Sequence, residues 1–337
     1  MKLLILGCGS IGARHARNAT PLAKVGLCDT DPTKTANLAE SIGAERFESL
    51  EAAVDWAPKA AIVATPNHLH LEHARRCIEA GAHVLIEKPI APGLEGVAGF
   101  LDRAESLGRR VYVGCNMRFH EGPARLRAAL DRIGRPLFAR AHFGNYLPNM
   151  RPGVDYRSLY CARRATGGGV ILDGIHELDY IAWLLGPVTE VRCAAGRLSD
   201  LDLDVEDYAA ITLRHESGAR SEIHLDYLQQ AKRRGCEIVG SEGTLVWSSE
   251  GKTPEACAVR LYERGRGAWE ILSEVPDLDG NQAYVAMLQA FLAAVDRAEP
   301  AASDLLTGRA AMNDLSVALA ALEAAAHGES RAVRWAA

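Results

Sequence analysis

The sequence has no long hydrophobic run and no block of like charge. None of its apolar stretches approaches the roughly 20 residues that span a bilayer, so we expect no membrane partner. Its 43 acidic and 38 basic residues are interspersed and give a formal net charge of −5. Because nucleic-acid-binding surfaces are usually basic, we expect no nucleic-acid partner either. The composition favours a small-molecule ligand.

The cysteines lack the spacing of a disulfide framework or a zinc site. No CxxC pair occurs, and the eight cysteines are scattered at positions 8, 28, 77, 115, 161, 193, 236 and 257. Scattered cysteines within apolar runs are typical of reduced thiols. The opening apolar stretch, MKLLILG, is too short for a signal peptide. We therefore expect a cytoplasmic protein.

Two domains are expected, because 337 residues exceed the usual size of one core. Short apolar strands alternate with helices over residues 1–120, which predicts an α/β domain with a doubly wound parallel sheet. Period-two stretches such as VEDYAAITLRHESG follow. They predict an α+β domain over residues 121–337 with a large, open, mainly antiparallel sheet. Its open face needs a cover, which favours a homodimer or homotetramer.

A glycine-rich turn links the first predicted strand to the first helix. The stretch LLILGCGSIGARHARN places Gly7, Gly9 and Gly12 between them, with Ser10 and Ile11 at the start of the helix. Such glycines let a pyrophosphate approach the helix N-terminus. Asp29, at the end of KVGLCD, is placed to bind ribose hydroxyls and repel a 2′-phosphate, so NAD is favoured over NADP. The alternative is a βα turn with no ligand.

Polar residues follow three later strands of the same predicted sheet. A doubly wound sheet binds ligands beyond the carboxyl ends of its strands. Lys88 is followed directly by Pro89, which restrains the backbone there, so we expect its ammonium group to face the ligand; an exposed surface lysine is the alternative. The predicted cofactor contacts at these ends are Thr65, Pro66, Asn67, His70, Glu87, Lys88 and Asn116.

Two titratable residues lie near the start of an apolar helix. In GGGVILDGIHELDYIAWLLG, Asp173 and His176 follow three glycines, and their spacing puts them on neighbouring parts of one helical face. The glycines are expected to let the chain approach cofactor and substrate. The alternative is that Asp173 caps the helix and His176 is a satisfied core imidazole.

Taken together, these motifs resemble the family of glucose-fructose oxidoreductase and inositol dehydrogenase. The resemblance covers almost the whole chain and depends on GCGSIGARH, residues 64–91 including VLIEKPIA, GCNMRF at 114–119, and the glycine-led helix. It implies a Rossmann domain, an open-sheet domain that often forms an oligomer interface, a nicotinamide cofactor and a sugar, inositol, uronic acid or nucleotide sugar as substrate. It also implies that Lys88, Asp173 and His176 surround the reacting carbon, and it matches His70 to a TPNxxH-like stretch.

These three residues have complementary expected roles. His176 is the candidate general base, since the ordinary histidine pKa of about 6.5 lies near working pH. Lys88 would hydrogen-bond the same substrate oxygen, and Asp173 would hold a substrate hydroxyl or orient a neighbouring cation. The commoner family form separates this Asp and His by four residues rather than three, so Lys88 is the sole acid/base candidate if the shorter spacing rotates His176 away.

A predicted substrate loop precedes this helix. The segment at 146–164, YLPNMRPGVDYRSLYCARR, is similar to a subgroup linked to bacterial polysaccharide and unusual-sugar biosynthesis. Arginine binds carboxylates and phosphates bidentately. A solvated surface loop is the alternative. Besides Asp173 and His176, the predicted substrate contacts are Arg118, Tyr146, Arg151, Tyr156 and Arg157.

Three other interpretations are weighed. A metal site is not expected, because neither His68, His70 and His73 nor Asp173, His176 and Asp179 complete a recognisable ligand set. Retained-NAD cleavage of glycosidic bonds is an alternative enzyme function. A non-catalytic NAD-binding sensor is the alternative without chemistry, and the presence of Lys88, Asp173 and His176 argues against it.

Overall fold

The computed structural model describes residues 1–250, 255–297 and 304–333. The chain divides into two compact units. The first comprises residues 1–116 and 284–312, and the second comprises residues 117–283 and 313–337. Among the described residues, no helix is long and apolar enough to cross a bilayer.

The first unit is built on alternating strands and helices. These are β1 (Lys2–Leu6), α1 (Ser10–Ala19), β2 (Lys24–Cys28), α2 (Pro32–Ile42), β3 (Glu45–Phe47), α3 (Leu50–Asp55), β4 (Ala60–Val63), α4 (His70–Glu79), β5 (His83–Ile86), α5 (Val97–Ser106) and β6 (Val111–Val113). The strands form one parallel sheet, in the order β6-β5-β4-β1-β2-β3. Its central residues, such as Leu4, Ile62 and Leu85, are fully buried, as expected for strands covered on both faces.

A later segment completes this first unit. Strand β15 (Leu306–Thr307) pairs antiparallel with β6, and Phe291, from α9 (Asn281–Asp296), packs edge-on against Tyr112. Residues 284–312 therefore belong to the first unit. The predicted single boundary, between residues 120 and 121, had assigned them to the second domain. Their apolar helical pattern does not indicate which of two cores they cover.

The second unit contains a nine-stranded sheet. Its elements are α6 (Glu121–Ala129), β7 (Pro136–Gly144), α7 (Val170–Asp173), α8 (Ile175–Leu185), β8 (Val188–Gly196), β9 (Tyr208–His215), β10 (Arg220–Asp226), β11 (Arg233–Gly240), β12 (Gly243–Ser248), β13 (Cys257–Glu263), β14 (Trp269–Val275) and β16 (Arg331–Ala332). Helix α10 (Gly308–His327) crosses the boundary between the units.

One face of the second sheet is covered and the other is open. The strand order is β14-β13-β12-β11-β7-β10-β9-β8-β16, antiparallel except for the parallel pair β7 and β10. Along β10, Ile223 and Leu225 are buried while Arg220 and Glu222 are exposed. Helix α8 packs on the buried face against β7 and β10. The predicted fold class, a parallel Rossmann sheet with a large, mainly antiparallel second sheet, is confirmed.

A histidine side chain caps helix α6. The Nδ1 atom of His120 accepts a hydrogen bond from the backbone N–H of Gly122 at 3.0 Å. Burial, reinforced by the positive charges of Arg234 and Lys232, lowers the pKa of His120 to about 4. The neutral ring is therefore the form that the fold stabilises, since protonation removes the accepting lone pair.

His120→Asn should make folding less sensitive to acid. Because the pKa of His120 is lower in the folded than in the unfolded chain, the wild type should lose stability as pH falls from about 6.5 towards 4, at up to about 1.4 kcal/mol per pH unit. Asparagine keeps a capping oxygen but does not titrate. Urea unfolding of both proteins at several pH values measures this, and parallel pH profiles would contradict it.

Candidate active site

The glycine-rich turn combines close packing with open space. A Cβ atom on Gly12 would lie 1.8 Å from the Gly7 carbonyl oxygen, and one on Gly7, whose φ is +88°, would lie 2.6 Å from that of Ala64. A Cβ on Gly9 would meet no atom within 4 Å. Gly7 and Gly12 therefore serve the packing of β1, β4 and α1, whereas Gly9 leaves space at the N-terminus of α1, where anions bind.

Asp29 is fixed beside this turn. Its carboxylate accepts hydrogen bonds from the backbone N–H groups of Cys8 at 2.6 Å and Asp31 at 2.8 Å. Each carboxylate oxygen has further lone pairs for ribose hydroxyls. An acidic side chain at the end of β2, beside an open helix N-terminus, fits a dinucleotide with an unmodified adenosine ribose.

Gly9→Ala and Gly12→Ala should separate binding from folding. Gly9→Ala should lower NAD affinity at least about tenfold while the melting temperature stays within about 2 °C, because its methyl group meets only ligand space. Gly12→Ala should lower the melting temperature by more than about 5 °C because of backbone overlap. Thermal unfolding and NAD titration measure both effects. Equal loss of stability in the two variants would refute this division of roles.

His70 is held between two backbone carbonyl groups. It is fully buried, with Nδ1 at 2.8 Å from the Pro89 oxygen and Nε2 at 2.9 Å from the Thr65 oxygen. Burial lowers the pKa of His70, although both carbonyl contacts oppose that shift. His73 Nδ1 lies 3.1 Å from Thr65 Oγ1. Two members of the histidine cluster thus bond to protein oxygens near the predicted cofactor residues Thr65, Pro66 and Asn67.

The Glu87 carboxylate is bound to a histidine side chain of helix α1. Its Oε1 atom lies 2.7 Å from Nε2 of the fully buried His15, and its side chain is 13% exposed. Burial raises the pKa of Glu87, but the His15 hydrogen bond and positive charge outweigh it and leave the pKa lowered. Glu87 therefore acts as the buried partner of α1. Lys88 is partly exposed at the carboxyl end of β5, and Asn116 is buried.

The helix that carries Asp173 and His176 is broken between them. Asp173 ends α7 and His176 is the second residue of α8, with Gly174 in between. The expected single helix through both residues is therefore interrupted at Gly174. A Cβ on Gly174 would lie 2.8 Å from the Val170 oxygen and 2.9 Å from Leu225, so close packing requires glycine there.

The preceding glycines are required by the protein's own atoms. A Cβ on Gly168 would lie within 2.7 Å of three carbonyl oxygens, those of residues 160, 161 and 163. Gly169 has φ +111°, and its Cβ would lie 2.3 Å from Glu206 Oε1. Glu206 also accepts a hydrogen bond from the backbone N–H of Ile171 at the start of α7. Glycine at these two positions thus lets the backbone pack against the three carbonyl oxygens and the Glu206 carboxylate.

Two tyrosines bind the Asp173 carboxylate. The Tyr160 hydroxyl donates to Oδ1 at 2.5 Å and the buried Tyr227 hydroxyl donates to Oδ2 at 3.3 Å. Burial and the negative charge of Asp173 raise the pKa of Tyr227 well above its ordinary value, so it stays a donor. Neither role was predicted from the sequence. Tyr160 lies in the predicted substrate loop, which offered a signal, whereas Tyr227 directly follows an ordinary alternating strand.

Two buried ion pairs follow His176 along α8, and His176 itself is 9% exposed. The Glu177 carboxylate accepts from Arg234 at 2.6 and 3.0 Å. The Asp179 carboxylate accepts from Arg118 at 2.6 and 2.9 Å. Arg118 is 11% exposed and pairs with the fully buried Asp179, and its predicted contact with substrate stays a prediction.

A third carboxyl group joins the pair of Arg118 and Asp179. Asp314 on α10 is 4% exposed, and its Oδ2 atom has no hydrogen-bond partner among the described residues. Burial and the charge of Asp179 raise its pKa well above the ordinary range. Burial and the neighbouring carboxylate of Asp179 thus favour the protonated form of Asp314.

Asp314→Asn should stabilise the protein more at higher pH. The wild-type group keeps its proton when folded and loses it when unfolded. Wild-type stability should therefore fall as pH rises above about 4, by up to about 1.4 kcal/mol per unit. Asparagine keeps an N–H donor but does not titrate, so the variant does not lose stability in this way. Urea midpoints between pH 5 and 8 should diverge in favour of the variant, and a constant difference would disprove the protonated assignment.

Two residues of the predicted substrate loop have partners within the protein. Arg157 forms a bidentate pair with Asp155 at 2.7 and 2.9 Å, and the Tyr156 hydroxyl accepts from the backbone N–H of Asp202 at 3.0 Å. Arg151 forms no ion pair within the described part of the chain. Tyr146 is half-buried at the start of the loop.

Comparison with known proteins identifies the fold and the chemistry. Residues 1–115 match the family model described as an oxidoreductase family with an NAD-binding Rossmann fold, and residues 124–246 match the GFO/IDH/MocA C-terminal domain. The chain belongs to the Gfo/Idh/MocA oxidoreductase family. The predicted family, the NAD cofactor and the assignment as an oxidoreductase are thereby confirmed.

Individual members of the family match over most of the chain. The 1,5-anhydro-D-fructose reductase of Ensifer adhaerens is 32% identical over 80% of this chain and 78% of its own. Myo-inositol dehydrogenase Hyg17 of Streptomyces leeuwenhoekii is 30% identical over 97% and 98%. An Agrobacterium radiobacter oxidoreductase, solved with NAD⁺, L-tartaric acid and magnesium, superposes with a TM-score of 0.85 at 21% identity, covering 98% of each chain. That last likeness concerns the fold.

Proposed function

We propose that the protein transfers a hydride between NAD and a secondary alcohol or ketone of a sugar, inositol, uronic acid or nucleotide sugar. The observation that carries this proposal is the position of Lys88. It follows β5 at the carboxyl edge of the parallel sheet, the edge that also bears the glycine turn and Asp29. Such an edge binds ligands, and a lysine there has a substrate oxygen as a natural partner.

The relatives support this substrate class. A reductase of anhydrofructose and several inositol dehydrogenases act on ring carbons that bear hydroxyl or keto groups. The second unit offers a matching polar set, because Asp173 lies partly exposed between two tyrosine hydroxyls next to His176. We propose that the first unit binds the cofactor and that the second binds the substrate.

Each catalytic residue has one proposed task. Bound NAD supplies the hydride acceptor at C4 of its nicotinamide. His176 takes the hydroxyl proton while the carbon loses its hydride, so that the alcohol becomes a carbonyl. Lys88 donates a hydrogen bond to the same oxygen and stabilises the developing alkoxide. Asp173, fixed by Tyr160 and Tyr227, accepts a hydrogen bond from a neighbouring substrate hydroxyl.

Arg151 is the proposed anchor for an acidic substituent. Arg157 is neutralised by Asp155, whereas Arg151 has no carboxylate at ion-pair distance among the described residues. A guanidinium group with no carboxylate at ion-pair distance can bind a carboxylate or phosphate of a ligand bidentately. This favours uronic acids and nucleotide sugars within the proposed substrate class.

We also propose a cytoplasmic homodimer or homotetramer. All eight cysteines are free thiols, which is typical of a reducing compartment. The second sheet leaves one face open, and Trp269 and Ile271 on its edge strand β14 are 53% and 58% exposed. Apolar side chains of this size are often covered by a second subunit.

Lys88→Ala and His176→Ala should each lower kcat by about 10²- to 10⁴-fold with the cognate substrate. NADH absorbance with a panel of inositols, free sugars, uronic acids and nucleotide sugars measures the rate. Exposed Lys59 and His327 provide matched controls, Lys59→Ala and His327→Ala, which should retain wild-type kcat.

The panel also separates the alternatives. Release of a glycosyl leaving group without net NADH would replace the dehydrogenase by retained-NAD cleavage. Tight NAD binding with no turnover of any kind would favour a sensor. Loss of activity in Lys88→Ala alone would remove His176 from the proposed mechanism.

A further inference from the structure

Lys88 is flanked on both sides by residues that bind buried histidines. Before it, Glu87 Oε1 lies 2.7 Å from His15 Nε2 on α1. After it, the Pro89 carbonyl oxygen lies 2.8 Å from His70 Nδ1 on α4. Both histidines are 0% exposed. Two helices thus hold the chain at the residues immediately before and after the catalytic lysine.

The tautomer of each ring follows from its surroundings. A carboxylate can only accept, so His15 donates to Glu87 from Nε2. Both oxygens near His70 also accept, and a neutral ring can donate to only one of them. The contact with Pro89 is fully buried and the one with Thr65 is only partly buried. Because a buried acceptor without a donor is the costlier loss, the proton belongs on Nδ1, towards Pro89.

We propose that His15 and His70 are positioning residues that fix Lys88 by holding the backbone on either side of it. This inference rests on the proposed role of Lys88 in the reaction. Neither histidine contacts the reacting atoms. Both act through the neighbours of Lys88, and a displacement of its ammonium group by about 1 Å is enough to slow a reaction up to about a hundredfold.

Side-chain chemistry allows each bond to be restored separately. In glutamine the amide nitrogen takes the place of histidine Nε2, and in asparagine it takes the place of Nδ1. His15→Gln keeps the donor to Glu87, whereas His15→Leu removes it. His70→Asn keeps the donor to Pro89, whereas His70→Gln removes it and places a donor near Thr65. The two His70 variants therefore distinguish support of Lys88 from support of the Thr65 loop.

The first measurement is trace acylation of lysines in the intact protein without NAD, with labelling at each site quantified by mass spectrometry. His15→Leu and His70→Gln should change the labelling rate of Lys88 by at least about threefold, whereas His15→Gln and His70→Asn should stay within about twofold of wild type. Labelling of the exposed Lys59 is the internal reference. Unchanged labelling of Lys88 in all four folded variants would overturn the proposal.

The second measurement is turnover at saturating NAD and substrate. His15→Leu and His70→Gln should lower kcat by about ten- to a hundredfold, with substantial recovery in His15→Gln and His70→Asn. His83→Asn is the matched control: His83 begins β5, at the end opposite Glu87, and accepts from the Arg110 N–H, a role that asparagine retains. It should keep wild-type kcat.

The outcomes separate the two proposals. If the wild type proves inactive as a dehydrogenase while Lys88 labelling responds as described, the proposed function fails and the positioning role stands. If the wild type is active but His70→Gln and His70→Asn behave alike, His70 does not act through Pro89. A lowered melting temperature with unchanged labelling would leave both histidines with a purely structural role and would refute positioning.

Discussion

The second unit depends on neutralising the charges that its central helix carries into the core. Glu177 and Asp179 on α8 are both fully buried, and each is met by an arginine from another element. Arg234 comes from β11, and Arg118 lies ahead of α6. An unpaired buried carboxylate costs about 3–5 kcal/mol, so α8 has one position in which both pairs form. That position also places His176 and the start of the helix.

The two units use different chemistry for a similar task. Arginine pairs with carboxylates in the second unit, where planar bidentate contacts fix a helix against a sheet. Histidine serves in the first unit, where a small ring fits between closely packed loops and bonds to carbonyl and carboxylate oxygens. Asp173 shows a third solution, since two tyrosine hydroxyls donate hydrogen bonds to its carboxylate.

The fold was largely predictable from the sequence because hydrophobic periodicity reports burial directly. The alternation of β1 to β6 with helices was recognisable in this way. The glycine turn and Asp29 were recognisable from their motif and its spacing. Contacts between side chains that are distant in sequence were not predictable. Nothing near Arg118 signals its pairing with Asp179, 61 residues later, and no local pattern marks the break at Gly174. The glycines at 167–169 were recognised, but their packing against Glu206 and three carbonyl groups depends on tertiary structure.

The parallel pair of β7 and β10 has a consequence for how the chain is made. In a sheet of hairpins each strand can pair as soon as its neighbour emerges from the ribosome. Strand β7 ends at residue 144, but its two partners begin only at residues 220 and 233. At about 5–20 residues per second, the apolar face of β7 waits roughly 4–15 seconds during synthesis for its first partner. The nascent second unit therefore offers chaperones an exposed central strand until translation has passed β10.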